Sequence, residues 1–178
     1  MAELDEILDE EMQQMVSKTN AAKIFNADVF MQPVKILQRN TPISVEEGVS
    51  VDHALKIMIG KKIGCMLITQ NKKLSGIVTE GDITRRFVPL KRDAAEVKVQ
   101  EIMSRNLTTL DINDSIAFCL NAMVIGGFRH IPLVNDENIP VGVVSVKDIM
   151  NYVVSFFPEE ILNLPPKPMH STFEREGA

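Results

Sequence analysis

The sequence predicts a mixed α/β fold made of two copies of one strand-helix-strand-strand-helix unit, and three observations carry that prediction. A helix-spaced apolar stripe at Val51, Ala54, Leu55, Met58 and Ile59 returns 65 positions later as Ile116, Cys119, Leu120, Met123 and Val124. A short apolar run follows each stripe, Cys65-Met-Leu-Ile68 and Ile131-Pro-Leu-Val134. The sharpest match sets Gly76-Ile-Val-Thr-Glu-Gly-Asp-Ile83 against Gly142-Val-Val-Ser-Val-Lys-Asp-Ile149, at an offset of 66. Self-similarity at a nearly fixed offset dictates the architecture before any local signal is weighed.

Residues 1–28 precede the repeats. Over 3–24, Leu4, Ile7, Leu8, Met12, Met15 and Val16 fall at near-helical spacing, while Glu3, Asp5, Glu6, Asp9, Glu10 and Glu11 supply a wet face. An amphipathic helix with a role in protein contacts is expected there. The first repeat occupies 29–88 and opens on Val34-Lys-Ile-Leu-Gln-Arg-Asn40, whose ending matches that of Val99-Gln-Glu-Ile-Met-Ser-Arg-Asn106. Ser50 and Ser115 stand just before the two helical stripes, where a hydroxyl caps the first free amides. The apolar runs are short enough to be buried strands, and Pro132 limits ladder bonding in the second.

Polar turns follow at Gln70-Asn-Lys-Lys73 and Asn135-Asp-Glu-Asn138, and one residue inserted in the second turn moves the offset from 65 to 66. Residues 89–98 read as a polar, charged link, 99–154 as the second repeat and 155–178 as a tail whose prolines forbid a long helix. The apolar residues of the tail call for a packing partner. One unit of about 50 ordered residues would be marginal alone, and two packed sheet against sheet share a core.

Composition narrows the function classes. Of 178 residues, 45% are apolar and 24% charged, the balance of a globular chain. A formal net charge of −5 argues against non-specific binding of nucleic acid, which needs a basic surface. The opening Met-Ala-Glu-Leu-Asp-Glu offers no secretory signal, and no apolar run approaches a membrane span, so a cytoplasmic protein is expected. Cys65 and Cys119 sit in apolar segments and read as buried thiols, and no His/Cys group has metal-ligand spacing. No Ser/His/Asp or Cys/His arrangement can be assembled, and the glycines form neither a phosphate-loop nor a dinucleotide fingerprint, so no enzyme is expected.

The residues that can carry chemistry stand at strand-to-helix junctions. Thr79-x-x-Asp82 and Ser145-x-x-Asp148 have the spacing of a capping box, which satisfies a helix N-terminus without any ligand. The same geometry would let a carboxylate accept both hydrogen bonds of a ribose diol, beside a helix N-terminus that favours an anion. Arg129 and His130 precede the second apolar run and could pair with phosphate oxygens. The first copy has Gly64 and Cys65 there, which bring no charge; Arg85 and Arg86 follow Asp82 and are either a cationic end of a site or a solvated helix face.

Taken together, the Ala/Met-striped helix, Gly-Phe-Arg-His-Ile-Pro-Leu-Val and Gly-Val-Val-Ser-x-x-Asp-Ile resemble the CBS domain, here as a tandem (Bateman) pair over about residues 29–154. The resemblance implies small packed sheets, two clefts related by pseudo-two-fold symmetry, a homodimer, and binding of AMP, ADP, ATP, S-adenosylmethionine or a similar adenosyl ligand, with occupancy signalled to a partner protein. It implies no other cofactor. By the same resemblance Thr79 and Asp82 would hold one ribose, Ser145 and Asp148 the other, and Arg129 and His130 would face phosphates. The adenines would rest against strand backbone near Val34–Leu37, including Lys35 and Ile36, and near Glu101–Met103, including Ile102, with Arg86 a further candidate. Lacking the Arg-His pair, the first copy's cleft is expected either to bind more weakly or to take a ligand whose phosphates reach across to the second copy. The competing expectation is a ligand-free dimerisation or protein-interaction module.

Overall fold

The two serines read as caps do start the long helices: Ser50 Oγ accepts from the His53 amide at 3.3 Å, and Ser115 Oγ accepts from the Phe118 amide at 3.2 Å. The structure, a computed structural model, describes residues 25–37 and 41–157. The expected helix over 3–24 and the proline-rich tail beyond 157 lie outside those residues.

The chain divides into two compact units, one of residues 27–150 and one formed by 1–26 with 151–178. Within the latter, Phe25 meets Phe156 and Phe157 edge-on at 5.6 and 5.2 Å between ring centroids, and Tyr152 meets Phe156 at 5.1 Å. The apolar start of the tail therefore does find partners.

The 27–150 unit holds the first repeat and the second as far as Met150. After a short helix α1 (Asp28–Met31) and a 3-10 turn (Val34–Leu37) come β1 (Ser44–Glu46), α2 (Val51–Lys61), β2 (Cys65–Gln70), β3 (Lys73–Thr79) and α3 (Glu80–Asp82). A π-helical turn (Ile83–Phe87) and a 3-10 turn (Val88–Leu90) complete the first copy. The second copy follows with α4 (Val99–Ile102), α5 (Ile116–Gly126), β4 (His130–Val134), β5 (Pro140–Ser145) and α6 (Val146–Val154). β1 pairs parallel with β2, and β2 antiparallel with β3, while β4 and β5 form an antiparallel pair. Asn71 and Lys72, both at positive φ (52° and 67°), make the two-residue turn between β2 and β3. Met66, Leu67 and Ile68 of β2 are all fully buried, so both faces of that sheet are covered.

The leading strand shows how one residue reshapes a copy. In the first copy the Leu67 amide donates to the Ile43 carbonyl at 3.2 Å and extends the β1–β2 ladder. Pro132, 65 positions on, has no amide to give Thr108, so the corresponding pairing shrinks to one parallel bridge between Leu110 and Leu133. The order strand, helix, strand, strand, helix thus holds with a vestigial first strand in the second copy. Val34–Leu37 and Glu101–Met103, expected as strand backbone, instead form a 3-10 turn and the end of a short helix.

These leading segments are exchanged between copies. The Val34 and Lys35 amides donate to the Asp114 and Ile112 carbonyls at 2.8 and 3.0 Å, and Ile116 N–H reaches Gln32 O at 2.9 Å. In mirror fashion Val51 N–H reaches Val97 O and Val99 N–H reaches Val49 O, each at 2.9 Å. The isolated bridges Pro33–Ser115 and Ser50–Lys98 are the same contact seen from the two copies. Val97, Val99, Ile102 and Met103 accordingly lie in one buried cluster with Val51, Ala54, Met58, Met66, Ile68 and Val78 of the first copy. The link read as merely polar at 89–98 is anchored by the fully buried Val97.

Gly76 marks the tightest point of this exchange. A Cβ there would overlap Met103 Sδ and stand 2.9 Å from its Cγ. Replacing Gly76 by Val should therefore destabilise the protein by about 1–3 kcal/mol, the range for overpacked cores, as read by urea unfolding. An unchanged midpoint would show that Met103 does not close on β3.

Candidate functional site

Both candidate acid-hydroxyl pairs are closed capping boxes. The Thr79 amide and hydroxyl donate to Asp82 Oδ2 at 2.9 and 2.7 Å, and the Asp82 amide returns a bond to Thr79 Oγ1 at 3.2 Å. Ser145 and Asp148 repeat this at 2.8, 2.6 and 3.2 Å. Each box satisfies the first amides of a helix where a strand ends, so the pairs have a structural task whatever they bind.

The surroundings of the two acids differ. Asp82 is buried, and its second oxygen, Oδ1, accepts from Ser104 Oγ at 3.3 Å and lies 3.4 Å from Arg86 Nε. Arg86 Nη1 also donates to the carbonyls of Ile102 and Met103, at 3.1 and 2.8 Å, at the end of α4. Arg86 is aimed there by the π-helical turn 83–87, a one-residue irregularity of the kind often found at functional positions. Asp148 is half-buried and makes no ion pair among the described residues.

A cleft of about 420 Å³ opens over Asp82. The first copy lines it with Gly64, Thr79, Glu80, Asp82, Arg85 and Arg86, and the second with Ser104, Asn106, Thr108, Phe128, Arg129 and His130. The Arg-His pair of the second copy thus shares a cleft with the acid-hydroxyl pair of the first. Ser145 and Asp148 do not line this cleft. Neither do Lys35 and Ile36, where Lys35 Nζ donates to Asn113 at 3.2 Å, nor the buried side chains of Ile102 and Met103.

Two backbone contacts explain the sharing. Glu80 N–H donates to Gly64 O at 3.2 Å, and Val146 N–H donates to Arg129 O at 3.1 Å, so Gly64 and Arg129 are equivalent positions of the two copies. Both line the same cleft, one without a side chain and one with a guanidinium. Ser104, Asn106 and Thr108 were missed as site residues by sequence reasoning. The Arg-Asn ending shared by the two leading segments was the only signal pointing to them.

The cleft is cationic at one end. Arg85 and Arg129 are exposed and form no ion pair among the described residues, and Asp82 is balanced by Arg86. His130 is half-buried, and its imidazole is held below the ordinary histidine range, mainly by burial and further by Arg129, with Asp148 and Glu80 opposing. Burial also raises the thiols, Cys65 to about 12 with help from Asp148 and Glu80, and Cys119 to about 11. Both stay protonated near neutral pH and carry no nucleophile. Among the described residues no cluster of His, Cys, Asp and Glu could hold a metal, and no helix is long and apolar enough to cross a membrane.

The family model for the CBS domain matches twice, at residues 34–89 and 99–155. The chain belongs to the CBS-domain family. Its tandem CBS pair is similar to the solved CBS domain of NE2398, at 28% identity and a TM-score of 0.65, covering 69% of this chain and 98% of that one. It is also similar to the CBS domain pair of protein MJ0100, solved in complex with 5′-methylthioadenosine and S-adenosyl-L-methionine (28% identity, TM-score 0.62, 68% of this chain and 98% of that one). Among curated proteins it is 30% identical over 129 residues to a homoserine O-acetyltransferase of Methanocorpusculum labreanum, covering 71% of this chain and 26% of that protein. It is 28% identical over 120 residues to the mitochondrial CBS domain-containing protein CBSX3 of Arabidopsis thaliana, covering 65% and 58%. The chain therefore spans only part of these curated relatives.

His130 yields a pH test. A folded value below the unfolded one, near 6.5, means the unfolded chain binds the proton first as pH falls, so this group's share of stability is intact above about pH 6.5 and is lost below it. The melting temperature should fall from pH 7.5 to 5.5, and His130→Gln should flatten that slope. Equal slopes in both proteins would show that the imidazole is not held neutral.

Proposed function

We propose that this CBS pair is a non-enzymatic regulatory module that takes one phosphate-bearing adenosine ligand in the cleft between its repeats and passes the occupancy to a partner protein. The carrying observation is the cleft's composition: an acid and a hydroxyl from the first copy, and Arg129 and His130 from the second, around about 420 Å³, a volume suited to a nucleotide. On this reading Thr79 and Asp82 meet the ribose and Arg85, Arg129 and His130 meet phosphate. On this reading Ser145 and Asp148 keep the capping role alone. The adenosyl ligands of the MJ0100 pair support the ligand class in general.

Charge chooses within that class. S-adenosylmethionine carries a sulfonium cation, which would sit near two arginines without counter-ions, whereas AMP or ATP brings anions that a guanidinium fork pairs well. Occupancy can be signalled only if the ligand favours one conformation of the pair over another, and the exchanged leading segments supply joints between the copies that a ligand touching both could bias.

The second reading, a dimerising interaction module without ligand, has α5 in its favour. Its eleven residues include no charge, and Phe118, Val124 and Ile125 are exposed. This face also supports a homodimer under the first reading.

A thermal-shift panel with AMP, ATP, S-adenosylmethionine, NAD and cyclic dinucleotides separates the readings. Protein freed of co-purified nucleotide should be stabilised by about 2.7 kcal/mol at a hundred-fold excess of AMP or ATP over Kd, and less by S-adenosylmethionine at the same concentration. Asp82→Ala should lose most of that shift. No shift with any compound, from a protein that sediments as a dimer, would leave the interaction module as the function.

A further inference from the structure

The geometry points to Arg86 as a latch that makes the cleft selective for phosphate-bearing ligands over uncharged nucleosides, a role that rests on the nucleotide reading above. The carboxylate of Asp82 is already largely engaged where a ribose diol would use it. Oδ2 serves the capping box, while Oδ1 faces Ser104 Oγ and Arg86 Nε. A diol that takes Oδ1 enters the space of the Arg86 guanidinium, whose Nε stands 3.4 Å from that oxygen, and on this proposal displaces it. That displacement also releases the Ile102 and Met103 carbonyls, which Arg86 Nη1 holds at 3.1 and 2.8 Å.

The consequence depends on what else the ligand brings. A nucleoside takes the carboxylate and offers the freed guanidinium nothing. A nucleotide offers it a phosphate in the same cleft, so the lost ion pair is replaced by a charge-assisted one. The device belongs to the first copy alone. The position 66 residues after Arg86 is Tyr152, and Asp148 has no ion pair among the described residues. The latch further ties the cleft to the fold, because the carbonyls it holds end α4, the helix buried in the first copy's core. Opening it changes the restraint on an exchanged segment.

Calorimetric titration of the full chain with AMP and with adenosine tests the latch. Wild type should bind AMP more tightly than adenosine. Arg86→Gln, which frees Asp82, should tighten adenosine and weaken AMP, so that the preference collapses by about tenfold, the scale of one charge-assisted hydrogen bond. Arg85→Gln, which breaks no contact to Asp82, should weaken AMP without tightening adenosine. If Arg86→Gln does not fold, Arg86→Lys, a point charge without the fork, should still tighten adenosine by about twofold or more. AMP binding to wild type with adenosine affinity unchanged in a folded Arg86 variant would overturn the latch and leave the nucleotide reading standing. Neither ligand binding to any of the proteins would overturn both.

Discussion

A repeat of this size exposes more sheet and helix than it can cover, and the chain meets that constraint by exchange. Val99 and Ile102, which open the second copy, fill the core beneath β2 and β3 of the first, while Pro33 and Val34 are bonded beside the start of α5 in the second. Each copy is completed by the other, so the pair should fold as one cooperative unit rather than as two. The same exchange brings Ser104 against Ile77, through paired backbone bonds of 3.0 and 2.9 Å, and Arg86 against the end of α4. The cleft is a by-product of that joint, and for that reason its walls come from both copies.

The acid-hydroxyl pairs show one geometry serving two purposes. A capping box places a carboxylate at the mouth of a helix because the helix needs it there, and the placement also leaves an acid facing whatever occupies the adjoining cleft. Sequence divergence then acts on the second purpose without touching the first. Both boxes close with nearly the same distances, yet Arg86 engages one acid and Tyr152 stands at the matching position of the other. Likewise Gly64 and Arg129 hold equivalent backbone bonds while only one carries a charge. The duplication is symmetric in what holds the fold together and asymmetric in what faces a ligand.

Much of this was legible in the residues. The serine caps, the capping boxes and the limit set by Pro132 each depend on a single side chain or backbone group and reappear at the expected residues. The apolar stripes do so only in part: Val51, Ala54, Met58, Ile116, Cys119 and Met123 are buried, whereas Ile59 and Val124, at the ends of the stripes, face outward. Three things were not legible. Periodicity says which face of a segment is apolar but not which neighbour covers it, so nothing in the residues marks the exchange of Val34 and Val99 or the helical turns that carry it. That Arg129 and His130 line one cleft with Thr79 and Asp82 is a relation between the copies, which spacing within a copy does not encode. The π-helical turn that aims Arg86 inserts one residue into a helix, and no residue type marks such an insertion.

The central claim is that a single cleft, built by both copies, holds the ligand. Diffraction from crystals grown with AMP tests it most directly. The account predicts one nucleotide over Asp82, its ribose hydroxyls at that carboxylate and its phosphate oxygens within about 3 Å of Arg129 nitrogens. A nucleotide seated against Ser145 and Asp148, with nothing bound over Asp82, would contradict it.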